Sequence, residues 1–304
     1  MAKKIWWSKS LSLLWGWFHD YLKITNGNIE QATRMLVFDA EQSAPSNEER
    51  IRQLRNLRLL ACDLDHRMIH FYFNEQLLCD YLKEMKLNRF DDIRAVIKRY
   101  GIAFNGRLFY KDGSFTQAQF PEIGFSIDVP YKKYGYAFLV SITHDDKMEI
   151  ACSYDYDKFI TVHEYHYLSY LKNKENNSEV EKVMQLFRLA INTIFYVEHY
   201  PELVLEGVPK QLEKTENEKT SFQVGTCEIF QEVERRKKQG FVVQPHLRSG
   251  YWKVLRSDFY TEEKRGTTIH IGPTMVKGNA ATVLTHRQIK NGRCLVEEKN
   301  DDYC

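Results

Sequence analysis

The segment EIGFSIDVPYKKYGYAFLVSITHDDKMEIACSY, from Glu122 to Tyr154, decides the fold. It is dense in Ile, Val, Phe and Tyr, the residues that fit a pleated, half-buried surface, and it is broken at Asp145-Asp146. The pattern predicts antiparallel strands near 122–129, 135–143 and 147–153. Upstream, Asn105-Gly106 and Asp112-Gly113 carry turn chemistry around a further strand near 107–111. The whole stretch from Gly101 to Val162 has this strand-forming character.

On either side the period changes from two to that of a helix. Leu11, Leu14, Trp15, Phe18, Tyr21 and Leu22 recur at helical spacing, and the polar face is poor in Lys and Arg. That combination predicts a helix docked on the core in preference to one lying on a membrane. Ser43–Asn47 supplies a loop and a cap before Glu48-Glu49, opening a helix that runs to about Leu64. Shorter helical patterns cover Glu75–Met85 and Phe90–Tyr100. Downstream, Ser178 followed by Glu181 caps a helix over Ser178–Glu198, and another is expected at Cys227–Gln239. Lys210–Thr220 is a charged loop, and alternation returns at Tyr251–Arg256 and Thr267–Ile271.

The fold class is therefore α+β. N-terminal helices pack with a central antiparallel sheet, and C-terminal helices follow with a short hairpin. Three parts are expected: a mainly helical part over 1–100, an α+β part over 101–290, and a polar tail over 291–304.

Composition bounds the function. A net charge of +2 argues against wholesale coating of nucleic acid, so any such contact comes from a local patch. The six cysteines are scattered with no C-x-x-C pair, which suits reduced thiols and a cytoplasmic setting and offers no zinc ribbon. No run approaches the ~20 apolar residues of a membrane helix. His163 and His166 are three residues apart but lack a third ligand by spacing. Asp63, Asp65 and His66 resemble a nuclease corner, yet the two carboxylates would not share a helix face. No metal and no cofactor are expected, and Walker, G-x-G-x-x-G and G-x-S-x-G patterns are absent.

One local patch stands out. Between Arg235 and Arg256 lie seven Lys or Arg and no carboxylate, and inside that stretch sits Pro245-His246-Leu247-Arg248-Ser249-Gly250-Tyr251-Trp252. Arg248 can hold an anion, Trp252 can stack or pack, and His246 can direct a hydrogen bond or move a proton. On one strand, residues 246, 248, 250 and 252 share a face, which predicts an accessible cluster. A hairpin would return Ile269-His270-Ile271-Gly272-Pro273-Thr274 beside it. His246, Arg248 and His270 could then converge on one phosphate for metal-independent RNA cleavage. A docking site for phosphate or peptide backbone needs the same residues without the chemistry, and in a plain, non-catalytic interaction module of a mobile element the cluster would serve the fold.

At these residues the chain resembles the type V-A anti-CRISPR family whose members reduce production of the type V-A effector nuclease. The family motif reads approximately Pro-His-Ile-Arg-Arg-Gly-His-Trp. Pro245, His246, Arg248, Gly250 and Trp252 match it, while Ser249 and Tyr251 replace the second Arg and the second His. A following Trp-x-Pro is represented by Ile271 and Pro273, preceded by His270, and a closing Val-Asn by Val276-Lys277. Phe120–Val129 and Leu189–Pro209 agree more loosely, so the likeness spans Phe120 to Gly278. The resemblance implies a cytoplasmic counter-defence or regulatory protein of a phage or plasmid. Such a protein recognises the amino-terminal peptide of a target during translation and causes loss of its mRNA. Its partners would be a nascent polypeptide with the ribosome and message, met by Pro245, His246, Arg248, Gly250, Trp252, His270 and Pro273. The two changed positions place the identity of the target outside the resemblance.

Overall fold

The structure is a computed structural model. It describes residues 10–64, 68–87, 90–100, 105–109, 115–119, 122–130, 132–143, 145–155, 158–173, 177–210, 212, 221–227, 246–248, 251–256, 260–262, 264–271, 274–277, 280–282, 288–290 and 293–295. Three helices open the chain: α1 (Ser12–Ile24), α2 (Ile29–Ser43) and α3 (Asn47–Leu64). Strand β1 (Ile69–Phe73) and helices α4 (Gln76–Glu84) and α5 (Phe90–Tyr100) follow. Strands β2 (Asn105–Phe109) and β3 (Phe115–Gln119) pair only with each other among the described residues. Next come β4 (Glu122–Asp128), β5 (Tyr136–Ile142), β6 (Met148–Tyr154) and β7 (Lys158–His163), then α6 (Glu164–Asn173) and α7 (Ser178–His199). A short turn leads to β8 (Val204–Glu206) and β9 (Ser221–Val224). The C-terminal part carries β10 (His246–Arg248), β11 (Tyr251–Val254), β12 (Thr268–Ile271), β13 (Thr274–Lys277), β14 (Ala280–Thr282), β15 (Gln288–Lys290) and β16 (Arg293–Leu295).

The fold is α+β, as the sequence patterns imply, but its main sheet is mixed. Seven strands run in the order β7-β6-β5-β4-β1-β9-β8. Strand β1 is parallel to both β4 and β9, whereas β4 through β7 form an antiparallel meander. The N-terminal hundred residues thus supply an interior strand as well as covering helices. A parallel pair needs a long connection, and α4 and α5 help to provide it.

Every residue of β4 and β5 is buried because helices cover both faces. Ala137, Leu139 and Ala151 face a core shared with Leu14, Phe18, Leu36 and Leu59 of α1, α2 and α3. Phe125, Phe138, Val140 and Ile150 face the larger core with Leu82 of α4, Ile97 of α5 and Phe187 of α7. The sheet therefore separates two apolar layers.

Several local expectations change. Helix α2 was not legible as a separate element, and Asn28 caps it by accepting from the Gln31 N–H at 3.0 Å. The cap of α7 is Asn177, which accepts from the Glu179 N–H at 2.9 Å, one residue before the expected Ser178. Within the tail expected to be polar, Arg293–Leu295 pairs with Gln288–Lys290. Beyond Cys227, the helix expected at Cys227–Gln239 lies outside the described residues.

Candidate functional site

The basic-aromatic cluster folds into the hairpin that its alternation implies. Trp252 pairs with His270, and Tyr251 with Ile271, across β11 and β12. Further along, His246 pairs with Val276 and Arg248 with Thr274 across β10 and β13. The two ladders keep one common register on either side of residues 249–250 and 272–273. Pro245, Gly250 and Pro273 lie outside the described residues.

The hairpin is held by α7. Trp252 is 9% exposed and packs on Phe195 with ring centroids 5.6 Å apart and on His199 at 4.4 Å. Its indole N–H donates to Asn192 Oδ1 at 3.3 Å. The amide of Asn192 donates in turn to the carbonyls of Leu82 and Met85 at 2.8 and 3.0 Å. Those carbonyls belong to the end of α4, where intrahelical donors run out. Asn192 is fully buried, so one side chain joins the C-terminus of α4 to the hairpin. His270, opposite Trp252, is 8% exposed, with Nδ1 2.9 Å from the Tyr200 hydroxyl. His199 Nε2 lies 2.5 Å from the Thr268 carbonyl oxygen, fastening the second strand to the same helix.

This arrangement corrects the expected surface cluster. Trp252 and His270 belong to the core because a large ring on the inner face of a hairpin gains most by filling the gap over α7. Burial, followed by the nearby His199, pushes the His270 pKa down to about 3. Its imidazole is neutral at physiological pH and cannot serve as the protonated acid of an RNA-cleaving pair. The register puts His246 and Arg248 in a different ladder from His270. Arg248 and His246 stand opposite Thr274 and Val276, four and six residues beyond His270 in the sequence. The structure brings Trp252 and His270 together, and places His246 and Arg248 on the adjoining ladder.

Two other constellations resolve differently. His163 and His166 lie beside each other with ring centroids 5.5 Å apart, and His163 Nδ1 is 3.5 Å from Glu149 Oε2. The His163 N–H donates to His166 Nδ1 at 3.3 Å, occupying that ring nitrogen. Among the described residues no group of three or more His, Cys, Asp or Glu is placed to hold a metal. Asp63 takes a hydrogen bond from the Trp15 indole at 2.6 Å and lies 3.3 Å from His70 Nε2. Asp65 and His66 lie outside the described residues.

Sequence reasoning missed what stands on the other side of His70. Its Nδ1 is 2.9 Å from the Ser126 hydroxyl, completing a Ser126–His70–Asp63 chain. Only the parallel register, in which His70 opposes Ser126, creates it. A serine, an imidazole and a carboxylate in line can activate a nucleophile. Ser126, however, retains 1% of its surface and cannot meet a substrate. The chain instead ties α1, α3, β1 and β4 together. Comparison with family models, with curated proteins and with solved structures finds no match.

Proposed function

We propose that this protein is an anti-CRISPR-like regulatory or counter-defence factor of a mobile element. It recognises a target polypeptide during translation in the cytoplasm and lowers the target's mRNA without cutting RNA itself. The motif residues carry the family side of this reading. The observation that favours recognition over catalysis is the use of Trp252 and His270 as core anchors on α7. Two of the residues that carry the resemblance then serve to hold the hairpin, leaving His246 and Arg248 of β10 as the residues for contact. Arg248 is suited to anions or backbone carbonyls and His246 to a directional hydrogen bond. No described helix is long and apolar enough to cross a membrane, and the partners proposed are a nascent chain, its ribosome and its message.

The test is the fate of a labelled transcript. In plain buffer, purified protein should leave it intact, while message loss should require active translation and should fail with Arg248→Ala. Cleavage in plain buffer that is lost in His246→Ala would establish a ribonuclease and overturn the recognition reading.

A further inference from the structure

On the sheet face opposite the hairpin, α1, α2 and α3 enclose a groove of about 820 Å³ that reaches β6 and β7. Its floor includes the buried Leu14, Leu36 and Leu57. At its rim the chain leaves large apolar groups in water: Trp17 is 46% exposed and Ile24 65%. The size falls within the range of ligand and short-peptide sites, ~300–1,000 Å³.

The polar lining points to the sign of the occupant. Asp20, Asp39 and Lys158 are the charged groups of the groove. Lys158 is met by Asp155 at 3.6 Å, and Asp20 by Lys23 at 3.1 Å. Asp39 accepts from the Tyr21 hydroxyl, and among the described residues no cation pairs with it. The phenol of Tyr21 is pushed up to about 12, by burial first and then by this carboxylate, so it stays a donor and cannot neutralise Asp39. A carboxylate at the mouth of an apolar groove favours a neighbouring cation.

The backbone points to a peptide. Strand β7 ends the main sheet, and among the described residues its outer edge has no strand partner. Lys158 and Phe159 of that strand line the groove. A chain laid there gains main-chain hydrogen bonds along with apolar contact, which a lipid or an apolar metabolite does not.

We propose that this groove docks an apolar peptide segment of a partner protein that carries an adjacent lysine or arginine, with the cation at Asp39 and the apolar side chains against Trp17 and Ile24. The site is separate from the hairpin and stands whether or not the hairpin recognises a nascent chain.

Fluorescence anisotropy with two labelled peptides tests it: Leu-Phe-Val-Leu-Lys-Lys and its counterpart ending in Glu-Glu. The lysine peptide should bind saturably to the full chain, and the glutamate peptide at least tenfold more weakly. Asp39→Lys should reverse that preference, and Ile24→Glu should weaken both at least tenfold. Both positions are exposed, so thermal midpoints and circular dichroism should match wild type. Equal binding of the two peptides, or no response to either variant, would overturn the proposal. So would a tenfold gain in affinity from Trp6→Ala/Trp7→Ala, which would make the chain's own N-terminal segment the occupant. Dimerisation abolished by Ile24→Glu would assign the groove to a second copy, and tighter binding to phosphatidylcholine vesicles than to peptide would assign it to lipid.

Discussion

Asn192 and Trp252 show how single side chains set the position of the candidate site. Asn192 spends its amide protons on the end of α4 and its carbonyl on the indole of Trp252. Trp252→Ala should therefore cost about 3–5 kcal/mol in urea unfolding, since it removes a buried ring and leaves Asn192 Oδ1 without that donor. Trp252→Phe should cost less, because the ring contact with Phe195 is kept. His270 adds a pH dependence. Its folded pKa is held near 3 by burial and His199, against an ordinary value of 6.5. Between those values the unfolded chain binds the extra proton, so the stability linked to neutral His270 is full above pH 6.5 and is lost as pH falls toward 3. Lowering pH from 7 to 4.5 should remove about 2–3 kcal/mol by this route. His270→Gln should flatten that part of the urea-midpoint profile.

Between elements, the contact of α3 with β4 depends on a missing side chain. A Cβ at Gly124 would overlap Cys62 Sγ, so the glycine lets the helix approach the strand. Gly124→Ala should destabilise by about 1–3 kcal/mol. Gly124→Ala/Cys62→Ala should recover much of the loss relative to the sum of the single changes, as thermal or denaturant unfolding can measure. The start of α7 offers a sharper comparison. One of its first free N–H groups, that of Glu179, is met by the Asn177 side chain, so Asn177→Ala should cost about 1 kcal/mol. Ser178→Ala should cost little, although Ser178 with Glu181 is the pair that reads as a capping box in the sequence. A Ser beside an Asn leaves two candidate caps. The winner is decided by which residue the chain holds extended as it turns into the helix, and here Asn177 is extended.

Across the whole molecule, the two apolar layers protect the thiols. Cys62, Cys79, Cys152 and Cys227 are all buried and form no disulfide among the described residues, and burial raises the Cys79 and Cys152 pKa values. Native protein should resist alkylation at these four positions, and they should react together as the chain unfolds, with mass spectrometry reporting the sites. Fast native labelling of Cys79 or Cys152 would contradict the packing of α4 and α7 on the sheet. The sequence by itself determined the class of the fold, the meander of β4, β5 and β6, four of the helices near their observed limits and the return of the His270 segment beside the Pro245–Trp252 stretch. Those features are written in local periodicity, turn residues and short-range pairing. Tertiary structure alone decided the rest. Strand β1 enters the sheet through parallel pairing with β4 and β9, which no local period encodes. That same pairing sets His70 beside Ser126. Alternation told which residues of the hairpin share a face, but not which way that face points. Helix α7 lies against it, so Trp252 and His270 became core, because covering a face with a helix removes its water whatever chemistry its side chains could otherwise perform.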